Sequence, residues 1–66
     1  MYLVEVKSYV DIDDVLWFYH KAGIVEKILG RRADKLFIVA VEISREAYTQ
    51  ARELGIEVVY GSIAED

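Results

Sequence analysis

Residues 35–43 read Lys-Leu-Phe-Ile-Val-Ala-Val-Glu-Ile, KLFIVAVEI, and this stretch decides the fold. It is apolar almost without a break and rich in β-branched residues, the pattern of a strand. A strand exposed on one side alternates apolar with polar residues. One this continuous is covered on both faces, as the central strand of a parallel sheet is.

Downstream, Ser44 caps a second helix that runs through Leu54 and turns Ala47, Ala51 and Leu54 inward; Gly55 ends it. Ile56-Glu-Val-Val-Tyr60 forms a third strand, closed by Gly61, and residues 62–66 are expected to be a loose tail. Upstream, Asp11 is placed to cap a helix of about 18 residues, with Asp13 and Asp14 in its first turn and Gly30 as its stop. Ile12, Val15, Leu16, Tyr19, Ala22 and Leu29 recur at helical spacing. Before that helix, Tyr2-Leu-Val-Glu-Val-Lys7 alternates as a strand, with Leu3, Glu5 and Lys7 on one face and Tyr2, Val4 and Val6 on the other.

The order is β-α-β-α-β. Strands alternating with helices predict an α/β fold, a three-stranded parallel sheet with right-handed crossovers, in a single domain over residues 1–61. With the strands in sequence order, both helices fall on one face of the sheet, leaving the other face of the central strand apolar and bare. The first helix also carries a second apolar stripe, Trp17, Ile24 and Ile28. A homo-oligomer, with a dimer favoured, is the expected cover for that stripe and for the bare sheet face.

Composition points the same way. A chain of 66 residues buries only roughly 60% of its unfolded surface, and such scaffolds usually lean on disulfides, a metal or a partner. There is no Cys and a single His, which excludes disulfides and thiolate or His-rich metal centres. Pro and Asn are absent and 30% of residues are charged, the balance expected of a heat-adapted protein. The net charge of −4 does not favour binding to phosphate backbones by charge alone. No apolar run approaches a membrane span and no leader pattern opens the chain, so the expectation is a soluble, cytoplasmic protein.

The chemistry lies in Glu5-Val6-Lys7. Alternate strand residues share a face, so Glu5 and Lys7 project together about 6–7 Å apart. A carboxylate binds a hard divalent cation, and an adjacent ammonium steadies charge on a phosphate or an attacking water. An acid-x-Lys triplet is also common by chance, and a solvated salt bridge is the plainer reading.

With LVEVKS at the head, a helix over Asp11 to Gly30, the strand KLFIVAVEI and the stretch SREAYTQARELGIEVVYGS, the chain resembles the PD-(D/E)xK nuclease superfamily, in particular its archaeal restriction-endonuclease-like members. The resemblance runs from about Tyr2 to Ser62. It implies that Glu5 ligates Mg²⁺ or Mn²⁺ together with the Val6 carbonyl and that Lys7 orients water and stabilises the transition state; DNA enters as a substrate only in the last of the readings below, and the net charge does not support it. It also implies an Asp on a strand upstream of the triplet. These residues begin inside the triplet's own strand, so the expectation is a C-terminal half-core with an incomplete site. Three readings follow: a degenerate nuclease without unaided catalysis, an oligomeric interaction module, or a Mg/Mn endonuclease completed by a partner's carboxylate.

The remaining candidates have plainer roles. His20 reads as a surface or interface residue, Asp11, Asp13 and Asp14 as helix N-terminal acids, and Arg31 and Arg32 as helix C-terminal charge. Trp17 reads as an interface anchor. There is no glycine-rich phosphate loop, and the tyrosines form no stacking series with basic residues.

Overall fold

In the computed structural model, which describes residues 1–65, the elements are β1 (Tyr2–Val10), α1 (Ile12–Leu29), β2 (Lys35–Ser44), α2 (Arg45–Glu53) and β3 (Glu57–Ala64). The strands form one parallel sheet in the order β1-β2-β3, as the α/β reading expects. KLFIVAVEI is the central strand. Asp11 and Asp14 close a capping box on α1, and Gly30 ends it in the left-handed conformation, φ 68°. Ser44 caps α2 through the Ala47 N–H.

Both helices pack on the same face. The core between them and the sheet holds Val10, Val15, Phe18, Ile38, Ile43 and Ile56, joined by the small residues Ala40, Ala47 and Ala51. Burying Ile38 contributes about 1.5–3 kcal/mol. The two alanines let α2 sit close to the sheet. In α1 the inward stripe differs from the expected one: Val15, Phe18 and Ala22 are buried, whereas Leu16, Tyr19 and Leu29 are exposed. The reason is angular. Phe18 lies three residues from Val15 and four from Ala22, so these three share one side, and Leu16 and Tyr19 point away from it.

The strands also differ from expectation at their C-terminal ends. β1 continues past Lys7 to Val10, and β3 continues past Gly61 to Ala64. Residues 62–64 are therefore strand rather than loose tail, because β2 is long enough to pair Ser62, Ile63 and Ala64 with Glu42, Ile43 and Ser44. Glu65 then pairs with Arg45 in the first turn of α2; Asp66 lies outside the described residues. Core-facing positions in β2 run Leu36, Ile38, Ala40 and then Ile43, so the alternation skips a residue at Val41 and Glu42. At that skip a Cβ on Gly61 would stand 2.7 Å from the Val41 carbonyl oxygen, closer than any side chain tolerates. Glycine is what lets β3 pass through.

The opposite sheet face has no covering layer among the described residues. Tyr2, Val4, Val6, Val41 and Val59 are exposed there, with Val6 and Val41 each at 70%. Tyr2 meets Phe37 edge to face on this surface, ring centroids 5.7 Å apart.

Candidate active site

β1 is an edge strand, paired to β2 on one side only. Glu5 stands opposite Ile38 and Lys7 opposite Ala40, whose side chains enter the core, so both charged residues face the helical layer. The chain then reverses at Asp11, and α1 runs back over β1. Asp14 and Lys21, seven residues apart on α1, share one side of it. The reversal nests the pairs: the later strand residue meets the earlier helix residue.

Lys7 Nζ donates to Asp14 Oδ1 at 2.8 Å. Lys21 Nζ lies 3.4 Å from Glu5 Oε1. Both oxygens of Asp14 are engaged, since its Oδ2 accepts from the Asp11 N–H at 3.0 Å; its own N–H donates to Asp11 Oδ1 at 3.0 Å. The hydrogen bond from Lys7, followed by that from the Asp11 N–H, holds the Asp14 carboxyl below its ordinary value. Lys7 is raised in turn, chiefly by its bond to Asp14; desolvation opposes this, and the charges of Asp14, Asp11 and Glu5 add to it. Lys21 is also 5.9 Å from the Trp17 ring centroid, within cation–π range.

The result is two partly exposed ion pairs between β1 and α1, Lys7 with Asp14 and Glu5 with Lys21. Glu5 and Lys7 do share a face, but each is answered by α1 rather than by the other. Lys21 was not legible as a partner from the strand alone. The available signal was the pair of matched spacings, two on a strand and seven on a helix, joined by a turn short enough to fold one onto the other. Glu5 and Lys21 also line a shallow groove of about 190 Å³ with Leu3, Val4, Phe18 and Val25, along the outer flank of β1.

A divalent cation needs several oxygen donors turned toward one point. Among the described residues no group of three or more His, Cys, Asp or Glu side chains is arranged to hold one. Glu5 leans on an ammonium, and both oxygens of Asp14 are engaged. The residues present do not by themselves fit a Mg²⁺ or Mn²⁺ centre. The side chain of Val6 is on the bare face, in register with Val39. His20 stacks on Trp17, centroids 5.6 Å apart, and makes no contact with Glu5 or Lys7 among the hydrogen bonds and ion pairs of the described residues. Arg31 and Arg32 follow the end of α1 and do not join the two ion pairs. No helix is long and apolar enough to cross a membrane.

The model of a family described as the PD-(D/E)XK nuclease superfamily matches residues 1–57, a span that takes in β1, α1, β2, α2 and the first residue of β3. No curated protein and no solved structure matches.

Proposed function

Because this chain belongs to the PD-(D/E)XK nuclease superfamily, we propose that it carries the Glu5-x-Lys7 half of a nuclease centre and does not cleave nucleic acid by itself. The observation that carries this reading is the two ion pairs between β1 and α1. On this reading Glu5 and Lys7 are the family's acid and lysine, and their charges are met within the chain by Lys21 and Asp14.

A functioning centre would need a second carboxylate beside Glu5. The helical side is taken by Lys21, and the inner side of β1 is paired to β2. The open approach is along the outer edge of β1, where unpaired backbone groups invite another strand. Trp17, Ile24 and Ile28 lie on the flank of α1 next to that edge and are exposed, Ile28 at 77%. A polypeptide segment entering there would cover the stripe and bring an acid to Glu5. The geometry thus supports a half-site completed from outside these residues.

The test is Mn²⁺-dependent cleavage of double-stranded, single-stranded and branched DNA, with Glu5→Ala and Lys7→Ala alongside. The chain alone should cut no faster than either variant. Cutting abolished by both changes would overturn the reading and show that the centre is complete.

A further inference from the structure

We propose that the bare face of the sheet packs against the same face of a second copy, about a two-fold axis perpendicular to the strands, with Lys35 of each chain meeting Glu42 of the other. This inference rests on the sheet face alone and is independent of the nuclease reading.

The face is organised in rows across the strands. Its middle row is Val6–Val39–Val59, set by the strand register. Toward one end come Phe37 and then Lys35; toward the other come Val41 and then Glu42. A two-fold axis perpendicular to the strands stacks the sheets face to face with strand directions reversed, and the one chosen here passes through the valine row. It lays the valines on their own copies. It puts Phe37 over the small side of the partner, Val41 beside Gly61, where no side chain fits. Large meets small, as packed sheet faces about 10 Å apart require.

Charge selects this arrangement over its rival. Lys35 and Glu42 stand at opposite ends of the same strand, about 23 Å apart at ~3.3 Å per residue, with uncharged β2 side chains between them on this face. Reversing the strands brings Lys35 to Glu42 twice. A two-fold axis along the strands would set Lys35 near Lys35 and Glu42 near Glu42, which is repulsive. Lys35 also keeps its intrachain neighbour Glu57, 3.6 Å away.

A face three strands wide and about 20 Å long has a footprint of about 14 by 20 Å, on the order of 300 Å² per chain, so two copies cover roughly 600 Å², the size of a weak, transient interface. The dimer should therefore be concentration-dependent. The stripe Trp17, Ile24, Ile28 lies on the helical layer and takes no part in it.

Sedimentation velocity from about 5 µM to about 1 mM tests the proposal. The mass should rise from 7.6 kDa toward twice that value. Val6→Lys and Val41→Lys, both at exposed positions, should each weaken association at least tenfold while circular dichroism stays unchanged. Trp17→Glu should leave it within twofold. Lys35→Glu should weaken it at least threefold, and adding Glu42→Lys should restore it. A chain that is monomeric at 1 mM overturns the proposal, as does a dimer that survives both valine changes or a charge swap that fails to restore association.

Discussion

Glu5 and Lys7 stand two residues apart on an edge strand, and each is answered by the helix that follows. The consequences are measurable by pH. Asp14 is held below its ordinary 3.8, so the stability it contributes is present above that value and is lost as the pH falls through the lower folded value. Lys7 is held above its ordinary 10.5, so its contribution is complete below that value and is lost as the pH climbs through the higher folded one. Asp14→Asn should flatten the acid side of the melting-temperature profile between about pH 2 and 5; an unchanged slope would mean the ion pair is not formed. The cap itself is a separate quantity. Asp11→Ala removes the side chain that receives the Asp14 N–H and should cost about 1 kcal/mol in urea unfolding. At this scale the shared face of Glu5 and Lys7 was legible, because strand geometry is local. The partners were not, because Lys21 reaches Glu5 only after the chain has reversed.

Elements were legible where their signals were local. Asp11, Ser44 and Gly30 mark their helix ends as caps do, and the central strand declares itself by an apolar run. Gly61 misled. It reads as a stop, yet it sits inside β3, where it makes room for the Val41 carbonyl. A glycine required by close backbone approach looks the same in sequence as one required by a turn. Gly61→Ala should accordingly destabilise the fold by about 1–3 kcal/mol without altering the helices. A chemical denaturation midpoint unchanged from the parent would contradict the crowding. Ile38→Ala should cost more, about 2–5 kcal/mol, since Ile38 is 1% exposed at the centre of the core.

Among the described residues the molecule has two layers, the sheet and the helices on one of its faces. The sequence announced this, because KLFIVAVEI is apolar on both faces while two right-handed crossovers can cover only one. What it left open was how the apolar surplus divides. The bare sheet face and the stripe on α1 belong to different surfaces, so one partner need not cover both. The two proposals divide in the same way: the one gives the sheet face to a second copy, the other gives the β1 edge to a segment that brings a carboxylate to Glu5.

The central claim is that this half-site does not hold a metal within one chain. The direct measurement is Mn²⁺ titration of the ¹⁵N-labelled protein, followed by paramagnetic broadening of backbone amides. The account predicts weak, non-saturating broadening spread over the exposed acids, unchanged by Glu5→Ala. A saturable site at sub-millimolar Mn²⁺, centred on residues 5–7 and abolished by Glu5→Ala, would contradict it.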